Sequence, residues 1–561
     1  MKKLWYVFSI LFIILLLQNL FAQNETGDYR IRGTNVHYEP EDWTTYSMTR
    51  WTTSLAVGRE YIYFGTSGGI TRYNFYSNKW DTPMTISDGL PDNFIVSVAY
   101  DENTDYVWCS THLGISIYRT TWRKWENFFK DEFGLFAGDD IVSIGFNDQQ
   151  VWLESKNGEC FRSENQQISF SKKTGDFIPY QDMKWFGQRA TNSQKLPELF
   201  MHDGYFFDPQ GVIRDFRLDN YKVTCYTKDP WNSIWIGSWG LSIGKADVRM
   251  KILELLPNGF FLKNVKAFEF DEDGNIWAGG TGLYNEQSGI TFWDLDNDQF
   301  NYYQARFNND LFSDQVTSLA IDDPYVWFGT EYGLLRYNLS KNEWKTFTSS
   351  LGLRDNYVLD VEVDDNNVWI ATLLGLCQLD KNRMNEKDYR IKDVAEKNIK
   401  NMKVYDIELM NNLLWIGTEF GVYIYDKTKE TGGFENDTNG PQNDEVTAVG
   451  VWKDKEVWFG LPDGVEVFDI KTQTWKGVPE KRFRTSTRIN YIVVDEAAAW
   501  LATDEGVLKF DKKRKRWRTF TIEDGLASNI VNYIELNGDY VWFGTPEGLT
   551  RFYWNSPYRI D

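Results

Sequence analysis

Histidine is nearly missing from this sequence: three among 561 residues, His37, His112 and His202. A zinc site or a histidine-based catalytic set has little to draw on. Cysteine is scarce too. Cys109, Cys160, Cys225 and Cys377 include no CxxC pair, so zinc ribbons and dithiol redox motifs have no basis. Two disulfides, in any of three pairings, remain open in an oxidising compartment. The simpler reading makes all four cysteines small apolar residues of buried strands. Basic clusters are almost as rare. The one dense run is DKKRKRW, Asp511 to Trp517, and Lys+Arg total 60 against 81 Asp+Glu, a net charge of −21. That balance argues against nucleic acid or an anionic membrane as the main partner. HExxH and the phosphate-binding glycine loop are absent. DEDGN, from Asp271, opens like a calcium loop, but Gly282 stands where its bidentate Glu belongs, so a strand turn is expected. No catalytic residues, cofactor or metal are expected.

Long apolar runs are limited to one. Leu4 to Leu17, broken by Ser9, follows Lys2 and Lys3, with Ala22 before Gln23. This reads as a signal peptide over residues 1–22, too short for a comfortable bilayer span. The expectation is export to the periplasm or cell surface, with no integral membrane segment after cleavage.

What the sequence has in plenty is aromatic residues, 17% of the chain, including 25 Trp. They repeat. An anchor Trp recurs at Trp327, Trp369, Trp415, Trp458, Trp500 and Trp542, spaced 42 to 46 residues apart, after Trp108, Trp152, Trp235 and Trp277. Tyr63 replaces it in YFGTSGG. A degenerate copy, YFFDPQGVIRDF from Tyr205, fills the double gap before Trp235, which makes twelve copies.

Each copy reads as four strands separated by Asn, Asp and Gly turns. Gly333, Gly375, Gly421, Gly464, Gly506 and Gly548 share one position in the second turn, where a positive φ is needed. In VWFG, Val326 and Phe328 point one way and Trp327 the other; in Trp-x-x-Phe the aromatics also face opposite sides. Sheets apolar on both faces must be sandwiched between similar sheets, which gives an all-β propeller of four-stranded blades. A β-helix has shorter rungs, and a helical solenoid lacks its 3.6 period here.

The last copy ends without a Trp-x-x-Phe strand, whereas Trp43 to Tyr46 is such a strand with no copy of its own. The first strand is therefore expected to complete the last blade and close a ring. Twelve blades exceed one ring, so two are expected: residues 23–90 plus 306–561 as a regular propeller of about seven blades, and 91–305 as a second, degenerate one.

VWFGTEYGLLRYN, LWIGTEFGVYIYD and AWLATDEGVLKFD resemble two-component regulator propeller repeats, as do the links GLPDN, GLRDN and GLASN. The resemblance covers about residues 43–553. It implies the periplasmic sensor region of hybrid histidine kinases of Bacteroidetes, and stand-alone propellers of this repeat type occur in type IX secretion. The expectation is that no immunoglobulin-like module, transmembrane helix, kinase or DNA-binding domain follows the repeats. The implied role is thus an exported ligand- or protein-binding sensor or envelope scaffold that works through a partner, a membrane sensor kinase or a secretion protein. A propeller lyase or hydrolase acting on glycans, or a surface attachment factor, is the alternative.

Binding residues are expected at the variable second-to-third strand tips and the links between blades, which share one face. The tips carry Trp239, Tyr332, Phe420, His112, Glu331, Glu419 and Asp463. The links carry Asp92, Asn93, Arg354, Asp355, Asn356 and Asn529. Aromatics beside carboxylates and amides suit a glycan or peptide. For the Asp-Asn pairs, turn formation is the plainer explanation, and Tyr332 and Phe420 can equally cap a blade edge.

Overall fold

In the copy containing Trp327, β-branched and aromatic residues alternate over short runs between turns, which is strand patterning. The four strands are Val316–Asp322, Tyr325–Thr330, Gly333–Asn338 and Glu343–Phe347, each antiparallel to the next. The second turn is fixed twice. Thr330 Oγ1 donates to the Gly333 carbonyl at 2.8 Å, and Gly333 has φ 129°. A side chain there would also meet the carbonyl of Phe347 at 2.4 Å, so a fourth strand in place demands glycine.

The computed structural model describes residues 38–39, 41–147, 150–164, 167–173, 183–192, 196–202, 204–208, 210–282, 288–394, 396–435, 440–441, 445–462, 464–478 and 487–556. The signal peptide expected over 1–22 and the tip residue Asp463 lie outside them. Residues 40–556 form one compact unit. Among the described residues no helix is long and apolar enough to cross a membrane.

The aromatic faces pack as the alternation requires. Val326, Phe328 and Trp344 join Ala267 and Trp277 of the preceding sheet. Trp327 and Phe347 join Val358, Ile370 and Cys377 of the following one. This sheet is thus glued on both sides.

Seven sheets form the larger array. Their innermost strands, Ala267–Phe270, Val316–Asp322, Val358–Val363, Val404–Met410, Ala448–Trp452, Ile489–Val494 and Tyr533–Asn537, each contact the next, and the last contacts the first. The ring is closed by Trp43–Tyr46, which pairs antiparallel with Gly548–Tyr553 in the register Trp43↔Phe552 and Tyr46↔Leu549. At Gly548 the carbonyl that excludes a side chain is that of Tyr46, 2.3 Å away, where other blades use their own fourth strand.

Four sheets form the smaller array, with inner strands Asn220–Lys228, Thr52–Val57, Ile95–Asp101 and Ile141–Phe146 in contact in that order. The described residues form eleven sheets, not twelve. The Tyr205 copy supplies only the hairpin Phe206–Asp208 and Val212–Arg214, added to the sheet of Trp235. Its strands are three residues long and bring no anchor Trp, too little to fill a blade. The division at 90 and 306 also moves. The sheet from residue 52 packs Leu55, Ile62 and Phe64 on Cys225 and Trp235 of the smaller array, and the sheet of Trp277 belongs to the larger ring. The chain crosses between arrays on two segments that bridge at Met48 and Gly259. Between them, buried Arg50 lies 3.8 Å over the Phe261 ring and donates Nε to the Gly240 carbonyl at 3.1 Å. Burial lowers its pKa to about 10.

All four cysteines are buried and free. Asp271 closes a turn by accepting from the Asp273 and Asn275 amides at 3.1 and 2.8 Å, the role expected for DEDGN. The basic run at Asp511 spans a third-to-fourth strand turn, where Arg514 pairs with Asp511 at 3.1 Å.

Candidate functional site

The smaller array has an extra central strand. After its outer strand Gln167–Lys173, the sheet of Ile141–Phe146 regains a fifth strand, Lys184–Gly187, beside that inner strand in the register Phe146↔Lys184. A side chain at Gly145 would strike the Trp185 ring at 2.8 Å, so the small residue lets this strand lie flat. Trp185 and Phe186 therefore sit where the four sheets converge.

Beside them opens a cleft of about 1060 Å3, ample for a sizeable ligand. Its rim comes from first-to-second strand turns: Gly58-Arg59, Glu102-Asn103 and Asp229-Pro230-Trp231. Its walls are aromatic. Trp231 is 52% exposed and rests edge-on against Tyr76, 72% exposed, with ring centroids 6.1 Å apart. Tyr100 and Tyr226 lie deeper. Three of the charged lining groups are paired. Arg59 pairs with Asp105 at 2.7 Å, and Lys184 with Glu102 at 2.5 Å. Tyr100 donates to Asp105 at 2.5 Å, and burial together with that carboxylate raises its phenol above the usual range. Flat apolar surfaces flanked by fixed charges suit a ligand with apolar faces and polar edges.

The residues singled out in the sequence lie at the other end of the strands. Tyr332 and Phe420 project from their tips, 63% and 54% exposed. Trp239 belongs to the smaller array and bridges Trp51, ring centroids 4.9 Å apart. No ring contact among the described residues joins these three. His112 stacks on Phe94 at 4.6 Å, and its Nδ1 lies 3.0 Å from Asp140. Glu419 accepts from the Lys403 amide at 3.1 Å, and Glu331 bonds Tyr357. Arg354 is paired with Asp393 at 2.6 Å, and Asp355 caps its turn on the Tyr357 amide at 2.7 Å. Asn93 and Asn529 likewise accept from the Ile86 and Ile522 amides. These are framework roles. GTSGG, Gly65 to Gly69, has the spacing of a nucleophile elbow, but it is a hairpin turn whose Ser67 hydroxyl is used on the Met48 carbonyl at 2.8 Å.

The cleft was hidden because its key strand, MKWFGQ, lies in the irregular interval between Trp152 and Trp235. A Trp-Phe-Gly run there was the available signal.

In fold the chain is similar to PorZ. That protein, described as an essential surface component of the type-IX secretion system of Porphyromonas gingivalis, matches at a TM-score of 0.58 and 12% identity, over 91% of this chain and 87% of its own. The extracellular domain of the hybrid two component system BT3049 of B. thetaiotaomicron matches at 0.43 and 16%, over 92% and 77%. Virginiamycin B lyase of Staphylococcus aureus matches at 0.40 and 15%, over 52% and 94%. No family model and no curated protein matches. The likeness to PorZ bears on the fold alone.

Proposed function

We propose that this chain is an exported binding propeller, a sensor or scaffold of the bacterial envelope that takes a glycan or peptide in the cleft of its smaller array and acts through a partner. The observation that carries this reading is the aromatic cleft beside Trp185 and Trp231. Binding rather than turnover is proposed because Arg59, Glu102 and Lys184 are neutralised in pairs and no histidine lines the cleft. A place beside a secretion machine at the cell surface is the second reading, favoured by the similarity to PorZ over most of both chains.

Glycan and peptide arrays probed with residues 23–561 test the proposal. Trp231→Ala with Tyr76→Ala should weaken binding tenfold or more, in the range of interface hot spots, while Tyr332→Ala with Phe420→Ala should not. The opposite pattern would move the site to the tips. Absence of any glycan or peptide binder would leave the scaffold reading only.

A further inference from the structure

The cleft of the smaller array contains an open strand edge. Its sheet ends on the inner side at Lys184–Gly187, and no described strand pairs with the far side of Lys184, Trp185 or Phe186. The ladder fixes which groups face that side. Along an antiparallel strand, backbone groups point alternately to one neighbour and to the other. Asn147 N–H donates to the Gln150 carbonyl at 3.1 Å, toward the second strand Gln150–Ser155. The amide and carbonyl of Gly145, two residues back, face that strand too. Ile144 and Phe146 therefore bond Phe186 and Lys184, their partners in register. Trp185, opposite Gly145, is left with its amide and carbonyl directed away from the sheet. Neither group is bonded to any described residue.

Several inner edges elsewhere in the chain are capped. Val98 N–H donates to Ser54 Oγ at 2.8 Å, Ile407 N–H to Asp360 at 2.9 Å and Val449 N–H to Asp406 at 2.6 Å, each acceptor reaching from the neighbouring sheet. No side chain does this for Trp185, which lines the cleft with Lys184 and Phe186. An uncapped edge is a template for one more strand.

The charges say what that strand carries. Of the lining cations, Arg59 and Lys184 are paired, with Asp105 and Glu102. Asp229 is spent on its own turn, accepting from the Trp231 and Ser233 amides at 2.9 and 2.8 Å and from Trp235 Nε1 at 2.9 Å. Lys228, exposed beside it and also lining the cleft, makes no ion pair with any described residue. One cation is left over.

We propose that the cleft, on the binding reading given above, takes an extended peptide that adds as a strand at Trp185 and sets a carboxylate side chain on Lys228. The Trp185 amide and carbonyl bond one peptide residue in register, which gives affinity. The aromatic rim and Lys228 read the peptide's side chains, which gives specificity. A glycan offers hydroxyls, but no donor and acceptor spaced as on a strand.

The probes are short Val/Thr peptides carrying a single Glu, the same peptides with Gln in its place, and neutral and acidic oligosaccharides, each titrated against residues 23–561. The Glu peptides should bind about tenfold more tightly than the Gln peptides, as a charge-assisted contact allows. Lys228→Gln should erase that difference; Lys228 is exposed, and circular dichroism checks that the variant folds. N-methylation of every second peptide amide should abolish binding in one phase and spare it in the other, because only alternate amides face the edge. Equal affinity for Glu and Gln peptides overturns the carboxylate contact, and indifference to the phase of methylation overturns strand addition. Oligosaccharide binding weakened by Trp231→Ala with Tyr76→Ala, with no peptide bound, overturns the proposal and keeps the cleft as a binding site. Binding of neither class overturns both.

Discussion

The indole of Trp43 stacks on the ring of Phe552 with centroids 4.0 Å apart and planes 14° from parallel. Trp43 is 2% exposed and also meets Phe543 and Phe520. Two levels below, Thr45 and Thr550 share a hydroxyl hydrogen bond at 2.9 Å. Trp43→Ala should therefore cost about 3–5 kcal/mol, as for other buried aromatics, and expose a free strand edge that promotes association. Tyr332→Ala, at an exposed tip, should change stability by less than about 0.5 kcal/mol. Thermal melts and light scattering on both variants check this. A Trp43→Ala protein as stable and monomeric as the parent would mean that the first strand does not close the ring.

The cysteines should be silent in the native state. Burial raises the thiols of Cys225 and Cys377 to about 12 and that of Cys109 higher still. A thiol reagent at pH 8 should label almost none of them without denaturant and all four after unfolding, with melting unaffected by reductant. Rapid native labelling of Cys225 would contradict its place in the core against Leu55 and Trp235.

The blade, its turn glycines and the closing strand were all legible because they follow from a strict repeat. Trp327 and Phe328 had to face opposite sheets, and Gly333 had to be glycine. Ring membership was not legible. Nothing in the sequence near Met48 or Gly259 marks the crossings, and the decision lies in three-dimensional packing of Phe64 on Trp235 and of Trp277 on Phe328. The cleft escaped for a related reason. Trp185 lies in a strand that breaks the repeat, and repeat logic looks past exceptions.

Asp88 offers a test of pH dependence. Its carboxylate accepts from the Thr85 amide at 2.9 Å within a short helical turn that ends at Gly89, φ 102°. Burial pushes its pKa up to about 6, offset in part by that hydrogen bond and by Arg72. The folded chain then binds this proton more tightly than the unfolded one, whose pKa is near 4. Its contribution to stability is greatest below pH 4 and falls as pH rises through 6. Asp88→Asn keeps a side-chain carbonyl for Thr85 but cannot ionise. The melting temperature of the parent relative to this variant should fall between pH 4 and 7. A constant difference would show that Asp88 has an ordinary pKa.

Arg306 latches the arrays together. It reaches from the turn Ala305–Phe307 of the larger ring to Asp215 at 3.2 Å and to Asp219, in the loop after the added hairpin of the smaller array. Phe216 and Phe307 meet beside it at 5.3 Å. Asp215 is 3% exposed, and its other oxygen already takes the Arg217 and Asp219 amides at 2.9 and 3.0 Å. Arg306→Ala would remove the cation from a carboxylate that cannot reach solvent, a loss of about 1–3 kcal/mol. The loss should fall on the interface and not on either core. The loop at 215–219 should become a preferred site of limited proteolysis, and one melting transition should separate into two, with the larger ring's unchanged. Arg306→Lys, which keeps the charge but loses the fork, should fall between the parent and Arg306→Ala. Unchanged cleavage and a single transition in Arg306→Ala would mean that the crossing segments at Met48 and Gly259, with Arg50 between them, hold the arrays together without the latch.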